Sequence, residues 1–272
     1  MSQQKICFIG AGNMTRSIIS GLIRSGYPAQ LVEATNPSQG KLDALVSDFG
    51  IQVSNDNIAA AERADVIVLS VKPQLMEQVC QALSGVDLSN KLVITIAAGI
   101  MAHRYSEYLG QPITLVRTMP NTPMQIGVGM TGLFAPQPLT PQQKAISEQL
   151  MASGGDIVWV DKESEINQVI ALAGSSPAYF FLFMEAMIET GKQLGMDEDK
   201  ARSLVQQAAL GAAMMVKQNP DLSLSNLREN VTSKGGTTAQ AIATFEDADL
   251  RGLVKTAMEN CIKRAEEMAS TF

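Results

Sequence analysis

The sequence predicts an α/β fold in which a doubly wound parallel sheet is followed by an all-α domain. Over residues 1–161, short apolar runs typical of buried strands alternate with segments whose apolar residues recur at helical spacing. Residues 162–272 show helical spacing without a convincing strand. We therefore expect two domains, 1–161 and 162–272, and a chain of 272 residues is long enough to bury two cores.

The chain opens with a strand, a glycine turn and a helix. Residues 6–9 are all apolar, which suits a central strand covered on both faces. Gly10 and Gly12 allow a tight turn, and helical spacing begins at Asn13. Free N–H groups at a helix start attract anions, so the pattern predicts a Rossmann-like dinucleotide site, with a purely structural turn as the alternative. Thr15 stands where this pattern usually has its third glycine.

The rest of the first domain continues the alternation. Further strands are expected at residues 31–34, 51–53, 65–71, 92–97, 115–119, 130–134 and 157–160. Helices are expected at residues 41–48, 75–83 and 141–151, the last of which starts on a proline in its first turn. In a sheet of this kind a ligand binds at the carboxyl ends of the strands.

Small and neutral residues follow several of these strands. The second strand ends near Thr35 and Asn36, where an enzyme that prefers NAD places a carboxylate on the ribose. Neutral residues there favour NADP, although Glu33 could reach the ribose if the strand end were shifted by one residue. Residues 70–73 and 97–99 follow later strands and leave space for a flat ring, with ordinary turns as the alternative.

Two loops offer polar groups to a ligand. Residues 119–123 are stiffened by two prolines around Asn121, which can donate and accept, although a simple corner is equally compatible. Residues 230–238 form a second glycine loop before a helix, and this loop adds the hydroxyls of Ser233, Thr237 and Thr238. Such a loop predicts a carboxylate site, with an ordinary capped helix start as the alternative.

Two predicted helices, residues 178–188 and 204–216, are apolar nearly all round. Burial on every side is more than a domain of about 110 residues can supply, so we expect a homodimer through the helical domain. A membrane role is disfavoured because both helices are short and carry Glu or Gln.

Composition excludes several classes of function. A net charge of -6 and a pI near 4.9 argue against a nucleic-acid or acidic-membrane surface. Cys7, Cys80 and Cys261 lack metal-type spacing, so we expect reduced thiols and no metal site. The first strand begins within five residues of Met1, which leaves no room for a signal peptide and favours the cytoplasm. His103, the only histidine, is expected to be structural or solvated.

Six motifs together resemble the pyrroline-5-carboxylate reductase family. They are GAGNM at 10–14, VKP at 71–73, AAG at 97–99, RTMPNTP at 117–123, GSSPAY at 174–179 and SKGGTT at 233–238. The resemblance implies a Rossmann domain followed by an intertwined helical dimerisation domain, with dimers that commonly assemble into decamers. It also implies hydride transfer from NAD(P)H to the C=N bond of 1-pyrroline-5-carboxylate, which gives L-proline in the last step of proline biosynthesis.

The resemblance implies roles for individual residues as well. The residues that it places at NADP are Gly10, Ala11, Gly12, Asn13, Met14, Thr35, Asn36, Asn57, Ser70, Val71, Lys72, Pro73, Ala97, Ala98 and Gly99. We add Asn121 to the expected NADP contacts because its side chain can both donate and accept a hydrogen bond. Those expected to contact substrate are Ser233, Gly236, Thr237, Thr238, Glu163 and Glu229. Thr238 and Ser233 are the expected catalytic residues. Thr238 is expected to form a hydrogen bond with the ring nitrogen of the substrate, and Ser233 is expected to hold the substrate carboxylate. Lys234 departs from the family, in which proline is common at this position, and Thr15 departs from the usual Ala or Gly.

Two other functions are weighed against this one. A β-hydroxyacid dehydrogenase-like enzyme would need a lysine base on a helix soon after the domain junction, and no lysine lies between Lys162 and Lys192. A non-catalytic NADP-sensing protein would carry a degraded second site, whereas the SKGGTT loop looks intact. Both are therefore disfavoured.

Overall fold

The computed structural model describes residues 4–270, and these residues divide into two compact units. The first unit comprises the residues up to Pro177 together with those from Asn260 onward, and the second comprises Ala178–Glu259. The boundary between the expected domains, 1–161 and 162–272, was placed where the sequence pattern changes from alternating strands and helices to helices alone. That division stays a prediction.

One eight-stranded sheet forms the centre of the first unit. In chain order its strands are β1 (Ile6–Ile9), β2 (Val32–Thr35), β3 (Gln52–Ser54), β4 (Val66–Leu69), β5 (Leu92–Thr95), β6 (Thr114–Met119), β7 (Gly129–Phe134) and β8 (Gly155–Trp159). Their spatial order is β3-β2-β1-β4-β5-β6-β7-β8, with β1 to β6 parallel. The predicted α/β fold with a Rossmann-like sheet is confirmed.

The last two strands run in the opposite direction to the others. β7 is antiparallel to β6, and β8 is parallel to β7. Between β6 and β7 lie only residues 120–128, which contain a short 3₁₀ turn, Thr122–Ile126. A parallel return needs a crossover of a dozen or more residues, so this connection forces the chain to reverse.

Helices cover both faces of the sheet. Those of the first unit are α1 (Asn13–Arg24), α2 (Gln39–Phe49), α3 (Asn57–Arg63), α4 (Pro73–Ala82), α5 (Ala102–Leu109), α6 (Pro141–Ala152) and α7 (Glu165–Val169). Alternate residues of β1 enter different cores, because Ile6 and Phe8 pack with one buried cluster and Cys7 and Ile9 with the other. Burial on both faces explains the unbroken apolar run that predicted β1.

The second unit is helical. After a π-helical turn at Ile170–Gly174, the chain forms α8 (Ser176–Gln193), α9 (Glu198–Gln218), α10 (Leu224–Asn230), α11 (Thr237–Asp247) and α12 (Leu250–Ala269). The start of α8 and the end of α12 belong to the first unit. Glu165–Gln193 is long and apolar enough to cross a membrane by length and composition alone, a test that core helices of soluble proteins also pass.

Many large apolar side chains on these helices face solvent in the single chain. Phe180 and Leu182 of α8 are each 66% exposed, and Leu204 of α9 is 60% exposed. Monomeric proteins rarely leave contiguous apolar surface of this kind uncovered. The exposed side chains lie on the two helices that the sequence predicted to need a partner.

Candidate functional site

The glycine turn between β1 and α1 has two structurally different glycines. Gly10 has φ +110°, and a β-carbon on it would lie 2.7 Å from the carbonyl oxygen of Ser70. Gly12 is the N-cap of α1 without a side-chain cap, and a β-carbon on it would meet no described atom within 4 Å. The first-turn N–H groups of α1 therefore face open space beside a residue without a side chain. This cradle fits a diphosphate.

Thr15 is accommodated where a third glycine is usual. Its side chain is fully buried, and its hydroxyl donates to the carbonyl oxygen of Gly10 at 2.8 Å. The larger residue thus gains a hydrogen bond that holds the helix on the turn. Ala11 completes the arrangement, because its N–H donates to Oδ1 of Asn36 at 3.3 Å and ties the turn to the residue after β2.

The end of β2 presents neutral groups. β2 ends at Thr35, whose buried hydroxyl donates to Oδ1 of Asn57 at 2.6 Å. Glu33 lies two residues earlier and accepts two hydrogen bonds from Arg63, at 2.6 and 3.3 Å. Its carboxylate is therefore engaged away from the strand end.

The ends of β4 and β5 lie beside the glycine turn, since these strands are the next ones along the sheet. Ser70 follows β4 and donates its N–H to Ile9. Lys72 is the exposed N-cap of α4, with Pro73 at the first position of that helix. After β5, Gly99 has φ +74° and packs against Met268, near the end of α12. Contacts and sheet order thus bring the residues expected at NADP from these strand ends to one edge of the sheet.

Asn121 is buried and already hydrogen-bonded. Its Oδ1 accepts the N–H of Met130 at 2.9 Å, and its Nδ2 donates to the carbonyl of Ala173 at 3.0 Å. These bonds join the loop after β6 to the start of β7 and to the π-helical turn. These two hydrogen bonds explain why Asn121 is buried, because they hold it as a corner residue of the loop. A contact of Asn121 with NADP stays a prediction.

Glu163 lies before α7, where Oε1 of its carboxylate accepts the N–H of Ala102 at 2.6 Å and forms an ion pair with Arg117. Arg117 is 4% exposed and lies within β6. Although Arg117 belongs to one of the six motifs, no function was predicted for it from the sequence. A charged residue inside an otherwise apolar strand was the available signal.

The glycine loop of the second unit is built like the first one. α11 begins at Thr237 with Gly236 as an N-cap that has no side-chain cap, and Gly235 has φ +73°. The N–H of Gly236 donates to the carbonyl of Ser233 at 3.0 Å, which closes the turn. Within residues 4–270, the exposed hydroxyls of Ser233, Thr237 and Thr238 make no hydrogen bond. Glu229 is exposed near the end of α10. Free donors therefore surround an uncapped helix start.

Fold and glycine turn define a dinucleotide-binding α/β protein of the oxidoreductase class. Residues 5–99 match the family model for NADP oxidoreductase, coenzyme F420-dependent, and residues 163–268 match pyrroline-5-carboxylate reductase dimerisation. A pyrroline-5-carboxylate reductase of Vibrio alginolyticus is 56% identical to this chain over 272 residues, and the alignment covers 100% of each chain. The chain belongs to the pyrroline-5-carboxylate reductase family.

Two solved structures support this assignment. A pyrroline-5-carboxylate reductase from Coxiella burnetii aligns with a TM-score of 0.93 at 41% identity, over 98% of this chain and 99% of that one. The Plasmodium falciparum pyrroline carboxylate reductase, solved with NADP bound, aligns with a TM-score of 0.87 at 27% identity, over 99% of each chain. The family resemblance predicted from the six motifs is confirmed.

Proposed function

We propose that this protein reduces the C=N bond of 1-pyrroline-5-carboxylate with NADPH and so forms L-proline, the last step of proline biosynthesis. The observation that carries the proposal is the uncapped SKGGTT helix start with its unbonded hydroxyls, in a chain 56% identical over its whole length to a reductase of that name. A plain nucleotide-binding protein needs no second anion site, and a β-hydroxyacid dehydrogenase would need a lysine base that the segment between Lys162 and Lys192 lacks.

The first unit is proposed to hold NADP at the carboxyl ends of β1, β2, β4 and β5. The N–H groups at the start of α1 bind the diphosphate, with Gly12 leaving the space for it. Neutral Thr35 and Asn36 tolerate a 2′-phosphate, and Glu33 is engaged by Arg63, which favours NADPH over NADH. When bound, the reduced nicotinamide supplies the hydride.

The second glycine loop is proposed to hold the substrate. Ser233 and the N–H groups at the start of α11 bind the substrate carboxylate, an interaction worth roughly 0.3–2 kcal/mol from the helix dipole. The Thr238 hydroxyl donates a hydrogen bond to the ring nitrogen. The family resemblance also assigns substrate contacts to Gly236, Thr237, Glu163 and Glu229. Reduction adds a hydride to the imine carbon and a proton to the ring nitrogen, with water completing proton delivery.

The proposed assembly is a homodimer through the helical part of the chain, with dimers joining into decamers. Exposed apolar residues on α8 and α9 support it, together with the dimerisation match over residues 163–268. We place the protein in the cytoplasm, without a membrane or nucleic-acid partner. Sedimentation velocity tests the assembly, because a chain that stays monomeric at micromolar concentration contradicts it.

The activity is tested by following NADPH oxidation with pyrroline-5-carboxylate, in parallel with NADP reduction by a panel of 3-hydroxy acids. We expect turnover only in the first assay. Turnover of 3-hydroxy acids would indicate the dehydrogenase alternative, and NADPH binding without turnover would indicate the sensing alternative.

Thr238→Ala tests the substrate loop. Loss of one hydrogen bond made in the transition state should lower kcat/KM about 5- to 100-fold. Thr244→Ala is the matched control, because Thr244 lies further along α11 and its hydroxyl donates to the carbonyl of Gln240 in the same helix. Equal kcat/KM values for Thr238→Ala and Thr244→Ala would remove Thr238 from the reaction.

A further inference from the structure

Burying an arginine in the sheet costs desolvation free energy, so a contribution to stability does not explain why an arginine occupies this position. Arg117 is 4% exposed in β6, and its Nε is buried without a hydrogen-bond partner among the described residues. Desolvation of a guanidinium costs several kcal/mol, and replacing a buried ion pair by apolar residues is often neutral or stabilising. A charge kept at this position therefore points to a use other than holding the fold together.

The contacts of Arg117 lead to the start of α5. Its Nη1 forms an ion pair with Oε1 of Glu163 and lies 3.9 Å from the sulfur of Met101. The same oxygen of Glu163 accepts the N–H of Ala102, the first residue of α5. The side chain of Met101, the N-cap, makes no capping hydrogen bond, so Glu163, which lies 61 positions after Ala102, caps the helix in its place.

This junction fixes one end of the loop that follows β5. At the other end, the N–H of Ala97 donates to Thr95 Oγ1 at 3.3 Å, and that hydroxyl is 2.7 Å from the hydroxyl of Tyr105. The loop 97–99 between these anchors is one of those expected to contact NADP and to leave space for a flat ring. Oε2 of Glu163 accepts no hydrogen bond within residues 4–270, so one carboxylate oxygen is fixed and the other is available.

We propose that Arg117 is a positioning residue for hydride transfer, which acts by holding Glu163 against the start of α5. This fixes the loop 97–99 at its far end and leaves the second oxygen of Glu163 available to a ligand. The inference deepens the proposed function and rests on it. Misplacement of reacting groups by about 1 Å can cost about 100-fold in rate, so a loosened junction should act mainly on kcat.

Steady-state kinetics of Arg117→Met test the proposal, with each rate expressed per folded molecule. We expect kcat with pyrroline-5-carboxylate to fall about 10- to 100-fold, with KM for NADPH changed less than about 3-fold. Arg117→Lys keeps a charge within reach of Glu163 and should recover part of the loss. Arg104→Met is the control, because it removes a partly exposed arginine that pairs with Glu107 and lies over Tyr108 on the same helix, and it should leave kcat unchanged.

The outcomes are separable. A wild-type protein that does not oxidise NADPH with this substrate refutes the proposed function. An active wild type with Arg117→Met at the same kcat, and with only its unfolding free energy lowered, assigns Arg117 a purely structural function and overturns the inference. If Arg117→Met does not fold, Arg117→Lys decides, because wild-type kcat in that variant despite weakened protection of the Ala102 amide from hydrogen exchange overturns the inference equally.

Discussion

Two alanine substitutions in the first glycine turn separate its importance for folding from its importance for cofactor binding. Gly10 has φ +110°, a conformation that costs other residues about 1–3 kcal/mol. The added β-carbon would also lie 2.7 Å from the backbone oxygen of Ser70, and overpacking against atoms that cannot move costs about 1–3 kcal/mol. Gly10→Ala should therefore lower the free energy of unfolding by about 2–6 kcal/mol.

Gly12→Ala should leave the fold intact. Gly12 has φ -84° and ψ 179°, which alanine adopts freely, and no described atom lies within 4 Å of the new methyl group. Weaker N-capping by alanine, about 0.5–1 kcal/mol, is offset by a less flexible unfolded chain, about 0.4–1 kcal/mol. The methyl group nevertheless enters the space proposed for the diphosphate. The Kd for NADPH should rise about 10- to 100-fold, as expected for overpacking that costs about 1–3 kcal/mol.

Urea unfolding at one protein concentration gives the stabilities, and titration of NADPH fluorescence gives the Kd values. Gly40→Ala is the control, because Gly40 lies in α2 with open space around it and should gain up to about 1 kcal/mol without affecting NADPH. Wild-type NADPH affinity in Gly12→Ala would refute the diphosphate position. A loss below about 1 kcal/mol in Gly10→Ala would refute the close-approach argument.

Asn36→Asp places a carboxylate at the end of β2, where charges about 5 Å apart repel by about 3 kcal/mol at an effective dielectric constant of about 20. It should lower kcat/KM for NADPH about 10- to 100-fold and spare NADH, as measured by the ratio of the two rates. Arg63→Ala should leave that ratio within about 2-fold and lower the free energy of unfolding by about 1 kcal/mol, because the lost ion pair is partly exposed. Burial raises the pKa of Cys7 and of Cys80 to about 12. The contribution of these two thiols to folding stability is complete below about pH 8.5, the pKa of a thiol in the unfolded chain, and it declines as the pH rises toward 12. Urea unfolding should therefore show that the free energy of unfolding falls by about 3–4 kcal/mol between about pH 8 and pH 10. About half of that fall should be absent in Cys80→Ala.

Strand positions were predictable, whereas the direction of the last two strands was not. Each predicted run overlaps a strand, because a strand buried on both faces is apolar at most of its positions. Such a run carries no information about direction. The direction of β7 depends on the length of residues 120–128, which is a property of the connection and not of the apolar pattern.

The two glycine loops were predictable because each is a local signal of a few neighbouring residues. The partners of the charged residues were not. Glu33 pairs with Arg63 thirty positions away, and Arg117 pairs with Glu163 across 46 positions. Neither pairing can be deduced from periodicity, since both depend on which helices pack against which strands. The hydroxyl bond that lets Thr15 replace a glycine was likewise visible only in three dimensions.

The position of Glu33 along the sheet bears on the choice of cofactor. Glu33 lines a small cavity of about 100 Å³ whose walls include Lys5, Gln30 and Ala64, residues that precede strands β1, β2 and β4. That cavity lies at the starting end of these parallel strands, whereas a nucleotide binds at their carboxyl ends. Glu33 is therefore kept from the ribose by its position as well as by Arg63, and removal of the arginine alone cannot bring it there. The proposed preference for NADPH then rests on the residues immediately after Thr35, so Asn36 is the position at which a change of cofactor should be attempted.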